Sequence, residues 1–256
     1  MERRCRFDEE ISENMKKVLN VNGFLQEAEY ADDFVQDVLV PLLTELSDLF
    51  HRKQKRLIVF LAGPPAAGKS TLALFLEKLS LEYETLAKVQ ALSMDGFHYP
   101  NMYLDTHETV RNGVRIQLRK IKGSPETYDT TAMGNALRQI CDDRDTHAEC
   151  GYMWPGYDRT IHDVVPGKYA ISGDILLIEG NYLLLEESPW KELRAYADET
   201  IFVYAPEDML KDRLVNRKIH GGSSRQEAEA WVAHTDTRNI ERVLNGSAKA
   251  GYQIMV

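Results

Sequence analysis

Short apolar runs recur along this chain of 256 residues, and stretches of mixed polarity separate them. Five of the runs have the length and the apolar character of buried strands. They are Arg56–Ala62, Val89–Met94, Ile175–Ile178, Thr200–Tyr204 and Tyr252–Val256. Helical stretches separate most of them, a pattern that is typical of parallel strands joined by crossover helices. The pattern therefore predicts an α/β fold with a five-stranded parallel sheet.

The chain before the first of these strands has a helical pattern. Residues 8–53 are expected to be mostly helical, because apolar side chains recur there at three- and four-residue spacing. They are Val35, Val38, Leu39, Leu42, Leu46 and Leu49. Pro41 lies inside this run and is expected to kink or split the helix. We expect residues 1–55 to form an N-terminal helical extension that packs on the following domain; a contact with a partner protein or within a homodimer is the alternative.

The segment 97–172 is too long for a single crossover between strands. Ser124 followed by Pro125 predicts a helix N-terminus, and the helix should run to about Cys141. Pro-Gly and Ser-Gly pairs within 151–172 predict a strand-and-turn flap. We interpret 97–172 as a cap inserted into a domain that spans 56–256.

The residues after the first strand carry the strongest chemical signal. They form a complete G-x-x-x-x-G-K-[ST] motif between a strand and a helix: Gly63, Pro64, Pro65, Ala66, Ala67, Gly68, Lys69, Ser70 and Thr71. Such a P-loop binds phosphate because backbone N–H groups and the helix dipole point at the anion. We expect Lys69 to reach the β- and γ-phosphates of ATP and Ser70 to offer its hydroxyl to Mg²⁺. The alternative is a structural turn that binds no nucleotide.

Acidic residues follow two further predicted strands. Asp95 comes after the strand Val89–Met94, and Glu179 comes after Ile175–Ile178. Both should lie near the P-loop, because ligands bind at the carboxyl ends of parallel strands. Phosphoryl transfer needs a group that accepts the hydroxyl proton and residues that organise Mg²⁺. We expect Asp95 to be the base and Glu179 to hold Mg²⁺ or polarise the hydroxyl; a turn-capping Asp and a structural Glu are the alternatives.

Two arginines are candidates for neutralising charge on the transferring group. Arg213 and Arg217 are four residues apart in a helical stretch, so they share a face. Gly221 and Gly222 follow and suit a closing element. We interpret about 213–225 as a lid whose arginines stabilise the transition state. A solvated charged face is the alternative.

Side chains of the cap are candidates for binding the acceptor: His98, Tyr157, Arg159 and His162. A tyrosine ring can stack on an acceptor or form a hydrogen bond with it, and Arg159 places a positive charge close to Tyr157. The seven histidines show no metal-binding spacing. Ordinary loop structure, or pairing of Arg159 with Asp158 or Asp163, is the alternative.

Composition narrows the class of protein. The net charge of −9 argues against nucleic acid or an anionic membrane as the main partner. Cys5, Cys141 and Cys150 show no zinc or disulfide-framework spacing, which favours a reducing compartment. No apolar run approaches the ~20 residues that cross a bilayer, and Met1–Arg6 lacks the apolar region of a signal peptide. We expect a cytoplasmic protein with no membrane or nucleic-acid partner.

Several ordered motifs resemble those of the pantothenate kinase, uridine kinase and phosphoribulokinase group of P-loop kinases. They are Gly63–Thr71, Met94–Asn101, Lys122–Asp129, Pro155–Arg159, Ile178–Gly180 and Arg213–Arg217. The resemblance runs from about Arg56 to the C-terminus and implies a P-loop NTPase fold with three α/β/α layers. It implies that Asp95 is the base, Glu179 the second acidic residue and 213–225 the lid. The chain resembles in particular bacterial nucleoside/nucleotide kinase family proteins, some of them named fructose-transport-system kinases.

Two departures from the resemblance concern the acceptor. Uridine kinases hold ribose with an Asp at the position of Gly123, and pantothenate kinases have Tyr-Ser-His where this chain has Tyr157-Asp158-Arg159. The spacing from Tyr157 to His162 is similar to a uridine kinase segment. The acceptor signatures are therefore incomplete, and a sugar or polyol is left open.

These patterns together predict a Mg²⁺- and ATP-dependent kinase that phosphorylates an alcohol of a small metabolite. A sugar-like or pantothenate-like alcohol is favoured, and a uridine or nucleoside kinase is the alternative. Two rivals come from other classes. A GTPase switch would need a guanine-reading Asn-Lys-x-Asp segment, which the sequence lacks. An ATPase module that acts on a partner protein would not require the cap or a strand-end base.

Overall fold

The computed structural model describes residues 14–21, 24–111, 113–143 and 150–256. Cys5 and the helix expected over 8–13 lie outside these residues. In chain order the strands are β1 (Asn14–Val21), β2 (Phe24–Ala31), β3 (Leu57–Ala62), β4 (Val89–Ser93), β5 (Glu108–Arg111), β6 (Val114–Gln117), β7 (Cys150–Asp158), β8 (Asp163–Ile171), β9 (Ile175–Gly180), β10 (Glu199–Tyr204) and β11 (Tyr252–Met255).

The helices follow the same chain order. They are α1 (Asp32–Phe34), α2 (Val40–Lys53), α3 (Lys69–Glu82), α4 (Asn101–Thr106), α5 (Thr130–Asp142), α6 (Trp190–Leu193), α7 (Glu207–His220), α8 (Arg225–Trp231) and α9 (Thr237–Gly246). Val35–Leu39 and Val232–Asp236 are π-helical, and Met94–Phe97, Leu118–Ile121, Pro125–Thr127 and Arg194–Tyr196 are 3₁₀-helical.

The centre of the molecule is a parallel sheet in the order β11-β10-β3-β9-β4. Every residue of β3 and β9 is buried, as expected of central strands that are apolar on both faces. Helices α2, α3 and α7 pack on one face, and α5 and α6 pack on the other. The structure confirms the predicted sheet and the three-layer α/β/α arrangement.

The register of the sheet brings three strand ends together. Glu179 of β9 lies opposite Leu61 of β3 and Ser93 of β4. The P-loop leaves the sheet directly after β3, and Asp95 follows β4 by two residues. These functional candidates therefore meet at one edge of the sheet, where parallel strands present their carboxyl ends.

The N-terminal segment corrects the helical prediction over part of its length. Asn14–Val21 and Phe24–Ala31 pair as an antiparallel β-hairpin, β1-β2, and the helical part covers 32–53. The hairpin is stable because alternate residues face α3: Lys17 and Leu19 are buried between exposed neighbours. Lys17 Nζ forms an ion pair with Glu82 of α3 at 2.5 Å. The boundary at residue 55 remains a prediction.

Pro41 widens the helix rather than splitting it. A proline has no N–H to donate to the preceding turn, and here a π-turn, Val35–Leu39, precedes it before α2 continues to Lys53. Leu39, Leu42 and Leu46 of the predicted apolar face pack in one core with β3. The face is therefore used within the chain, and the homodimer stays a prediction.

The cap contains α4, two hairpins (β5-β6 and β7-β8) and α5. The β7-β8 hairpin is the predicted flap. The predicted helix start at Ser124 was wrong: Pro125–Thr127 is a 3₁₀ turn, and α5 begins at Thr130 with Asp129 as its N-cap. The physical reason is that Tyr128 forms a β-bridge with His98, which keeps this segment extended.

The described helices include none that is long and apolar enough to cross a membrane. The predicted lid contains the end of α7 and the Gly221-Gly222 turn that leads to α8. Its closing motion, and the division of the chain into extension, cap and lid, remain predictions.

Candidate active site

The P-loop has a backbone that its glycines make possible. Gly68 lies in the left-handed region with φ of 82°, and a Cβ on Gly63 would lie 2.1 Å from the carbonyl oxygen of Val203 in β10. The loop is thus pressed against the sheet and opens α3 at its N-terminus, where anions bind favourably.

Lys69 is buried at the first position of α3, and its Nζ donates a hydrogen bond to the Pro64 carbonyl oxygen at 2.8 Å. Burial lowers the pKa of Lys69 to about 8, although the charges of Glu179 and Asp95 oppose the shift. The ammonium is thereby held over the loop that would receive phosphate. This position suits the role predicted for it.

Ser70 and Glu179 are adjacent, and the Ser70 hydroxyl donates to Glu179 Oε1 at 3.1 Å. Burial and then the negative charge of Asp95 raise the pKa of the Glu179 carboxyl. A hydroxyl and a carboxylate are hard oxygen ligands of the kind that Mg²⁺ prefers, so the pair fits the predicted metal role. No group of three or more His, Cys, Asp or Glu side chains within 14–21, 24–111, 113–143 and 150–256 forms a metal cage.

Asp95 lies on the other side of Glu179, with a carboxylate that is held from two directions. The Tyr128 hydroxyl donates to Oδ1 at 3.1 Å, and Arg159 Nη2 lies 3.7 Å from Oδ2. Burial would raise the pKa of Asp95, but His98, Arg159 and the Tyr128 hydrogen bond together hold it below its ordinary value. The turn itself is capped by Ser93, whose Oγ accepts from the Asp95 N–H. The carboxylate is therefore ionised and is not used as the cap of that turn.

His98 and Tyr157 are both brought to the neighbourhood of Asp95. The His98 ring is buried and stacks on Tyr128 with centroids 3.7 Å apart, and the Tyr157 centroid lies 5.6 Å from it. Burial lowers the pKa of His98 to about 4, so the imidazole is neutral. Lys122 Nζ lies 4.9 Å from the Tyr157 ring centroid. The result is an aromatic wall with a positive charge above it.

His162 is another residue predicted to bind the acceptor. Its side chain is exposed, and its φ of 52° lies in the left-handed region at the turn of the flap. Its carbonyl oxygen accepts hydrogen bonds from Lys122 Nζ at 2.7 Å and Asn101 Nδ2 at 3.0 Å. These main-chain hydrogen bonds tie the turn of the flap to the rest of the cap, and the acceptor role of the His162 ring remains a prediction.

The two arginines of α7, Arg213 and Arg217, interact with different parts of the site. Arg213 Nη1 donates to the Ala66 carbonyl oxygen of the P-loop at 3.3 Å. Arg217 interacts electrostatically with Asp95 and Arg159; desolvation and the charge of Arg159 lower its pKa. Arg213 thus contacts the P-loop, and Arg217 lies on the side of Asp95.

Sequence reasoning missed two features of this region. Tyr128 belongs to the Lys122–Asp129 motif, but nothing in the motif alone shows that its hydroxyl contacts Asp95. The second feature is a cavity of about 620 Å³ beside the P-loop, lined by 26–31 of β2, Ala66, Thr71 and Arg213, among others. Because 14–31 was predicted as helix, the hairpin could not be foreseen as its wall.

Comparison with known proteins adds the family. No model of a known protein family matches the chain. It is 42% identical over 237 residues to the uncharacterized protein YggC of Escherichia coli strain K12, covering 92% of this chain and 93% of that protein. It is also 30% identical over 221 residues to a pantothenate kinase of Ligilactobacillus salivarius strain UCC118, covering 79% of this chain and 67% of the kinase.

A solved structure gives the same result at the level of the fold and of the sequence. The crystal structure of a putative fructose transport system kinase from Silicibacter sp. TM1040 superposes with a TM-score of 0.70 at 28% identity. The match covers 84% of this chain and 98% of that protein.

The fold and the site define a P-loop nucleotide-binding protein with a strand-end acid beside the loop. Within that class, the chain belongs to the group of P-loop kinases that includes the pantothenate kinases. It is therefore a phosphotransferase, as the sequence predicts.

Proposed function

We propose that the protein transfers the γ-phosphoryl group of ATP to a hydroxyl of a small metabolite, with a sugar-like or pantothenate-like alcohol favoured. The observation that carries this proposal is the ionised Asp95 carboxylate at the end of β4, next to the strand that carries Glu179. A group that accepts the proton of an attacking hydroxyl must lie beside the phosphate site, and Asp95 satisfies that requirement.

Each residue of the site has one task in the transfer. Asp95 orients the acceptor hydroxyl and takes its proton as the new P–O bond forms and the bond from phosphorus to ADP breaks. Lys69 and Arg217 stabilise the charge that develops on the transferring phosphoryl oxygens, and Arg213 secures the P-loop side. Ser70 and Glu179 would hold Mg²⁺, which when bound neutralises phosphate charge.

The cavity beside the P-loop offers room for the rest of the nucleotide. Its volume of about 620 Å³ lies within the range of small-molecule sites. Phosphates in the P-loop would leave the base and ribose of ATP between the edge of β2 and Arg213. ATP and Mg²⁺ are abundant in the cytoplasm, so the proposal retains the cytoplasmic location that the sequence predicts.

The test is a screen of the purified protein with Mg²⁺ and ATP against pantothenate, nucleosides, hexoses, pentoses and polyols, following ADP release. A kinase of small alcohols releases ADP rapidly only with its acceptor, and the product carries the phosphoryl group. ATP turnover that is equal with and without every alcohol would contradict the proposal and favour an ATPase or switch that acts on a partner protein.

A further inference from the structure

Arg159 has hydrogen-bonding capacity that the protein leaves unused. It follows β7 directly, and its only ion pair among the described residues is the 3.7 Å contact from Nη2 to Asp95. Its Nε is buried and has no hydrogen-bond partner among those residues. A buried donor without a partner is destabilising, and such a group in a native protein indicates a missing ligand or another specific cause.

The backbone holds Arg159 in this place and does not leave it to a mobile loop. Trp154 Nε1 in β7 donates to the Ser93 carbonyl oxygen at 2.9 Å, which ties the flap to the end of β4. Gly96 lies against the same strand so closely that a Cβ there would be 2.3 Å from the Pro155 carbonyl oxygen. The flap therefore holds Arg159 against the segment that carries Asp95.

Arg159 lies among charges of both signs: Asp95 is its ion-pair partner and Asp158 precedes it in the chain, but other cations are also close. Arg217 is near enough for the charge of Arg159 to lower its pKa, and Lys122 lies over Tyr157, two residues before Arg159. The proposed function already assigns Lys69 and Arg217 to the transferring phosphoryl group. Arg159 and Lys122 are further cations beside Asp95, and the proposed function gives neither of them a task.

We propose that Arg159 binds an anionic group, a carboxylate or a phosphate, on the acceptor. The inference rests on the proposed function and names its substrate class: an alcohol with an acidic group, such as a hydroxy acid or a phosphorylated sugar. A guanidinium presents a planar fork of donors that matches either anion bidentately. The distance of 3.7 Å to Asp95 exceeds a hydrogen bond, so the fork is available to a ligand.

The test compares alcohols in matched pairs that differ in the acidic group. The pairs are D-glycerate with glycerol, pantothenate with pantothenol, and fructose 6-phosphate with fructose. In at least one pair the anionic member should have kcat/KM roughly 30-fold or more above its neutral partner, because a desolvated charge pair contributes that much. The first two pairs report a carboxylate, and the third reports a phosphate.

Arg159→Gln should reduce that ratio to within about threefold by raising KM for the anionic acceptor, with KM for ATP unchanged. Arg159→Lys should retain part of it, because the charge remains and the fork is lost. Arg115→Gln is the matched control, since that arginine is exposed on the cap.

Two results would overturn the inference while leaving the kinase intact. One is a neutral alcohol used as well as its anionic partner. The other is an Arg159→Gln protein with a raised KM for ATP and an unchanged preference between partners, which would make Arg159 a ligand of ATP phosphates. Absence of transfer to every alcohol would instead contradict the proposed function, and the inference with it.

Discussion

Lys69 is a buried lysine at the start of α3, where we expect it to contact phosphate. Its pKa of about 8 leaves it protonated at neutral pH, and an anionic ligand would favour that form further. Changing Lys69 to Ala removes a contact that strengthens in the transition state. We expect a loss of kcat on the order of 10²-fold or more, larger than the loss of ATP affinity. Steady-state kinetics and ATP titration measure the two, with Lys88→Ala, at an exposed lysine, as the control. An unchanged kcat in the Lys69 variant would remove the P-loop from the mechanism.

The proposed role of Asp95 as the base can be tested by substitution. The change Asp95→Asn keeps the shape of the side chain and its contact with Tyr128, but the amide cannot accept the hydroxyl proton. We expect kcat to fall by ~10²–10⁴-fold with ATP binding nearly intact. A variant that retained more than about a third of the rate would show that Asp95 is only a turn residue.

The lowered pKa of His98 predicts that the stability of the protein depends on pH. Its pKa of about 4 in the folded protein lies below the ordinary 6.5, because burial disfavours the charged ring. Protons therefore bind the unfolded chain more readily. The stability contribution of the neutral ring is complete above pH 6.5 and is lost as the pH falls towards 4.

The wild type should thus lose about 2 kcal/mol more free energy of unfolding than His98→Gln between pH 7 and pH 5. Urea unfolding at the two pH values measures this difference. Asp95, Lys122 and Arg159 lie near this position in both proteins. Their own contributions to the pH dependence of stability therefore largely cancel when the two proteins are compared. Equal losses would mean that His98 titrates normally.

At the scale of elements, the strands of the sheet were predicted from the sequence and the hairpin was missed. Each central strand is apolar on both faces, so a short run of branched residues is enough to identify it. The strand pattern is weaker in β1 than in the central strands, because the buried Lys17 interrupts the apolar alternation of Met15, Leu19 and Val21. The dipeptide Asn22-Gly23 between β1 and β2 is a hairpin signal in the sequence, and the longer helical period that follows it concealed it.

In the candidate site too, features that follow from the strand pattern could be predicted, and contacts between residues far apart in the sequence could not. Asp95 and Glu179 could be predicted because strand order places their strand ends beside the P-loop. The contact of Tyr128 with Asp95 spans 33 residues and depends on a β-bridge, which no local pattern encodes. The different contacts of Arg213 and Arg217 likewise depend on how α7 crosses the site.

The flap and the base segment are joined by a close backbone approach that can be tested. In Gly96→Ala the new Cβ would meet the Pro155 carbonyl at 2.3 Å, and backbone cannot move aside as a side chain can. We expect about 1–3 kcal/mol of destabilisation, together with a loss of activity because Arg159 and Tyr157 shift with the flap. Urea unfolding and kcat/KM measure both effects.

The matched control for the flap is Gly134→Ala in α5. There a Cβ would lie 3.4 Å from the Leu193 side chain, which can adjust. Alanine is the better helix former by roughly 1 kcal/mol, so this variant should be as stable as the wild type or more so. If Gly96→Ala behaved like this control, the flap would not be seated on Gly96 in solution.

At the scale of the whole molecule, two groups of elements lie around Lys69 and Asp95. The hairpin, the P-loop and Arg213 enclose the cavity on one side, and the flap, Tyr157 and Arg159 face the other. Helix α7 contributes an arginine to each side, so a movement of this helix would affect both at once. Under the proposed function, we expect selectivity for the acceptor to belong to the cap, which is where this chain departs from the uridine kinases it resembles.

That departure predicts poor activity on nucleosides. Uridine kinases hold ribose with a carboxylate where this chain has Gly123, whose φ of 96° disfavours any side chain. The Gly123 carbonyl also accepts a hydrogen bond from the Tyr182 hydroxyl at 2.5 Å, which fixes the turn. A site that lacks the partner of a substrate hydroxyl discriminates strongly against that substrate. We expect kcat/KM for uridine and cytidine below ~10⁴ M⁻¹s⁻¹ and below that for the best sugar-like or pantothenate-like alcohol. Coupled measurement of ADP release decides this, and efficient use of uridine would show that another residue of the cap replaces the missing carboxylate.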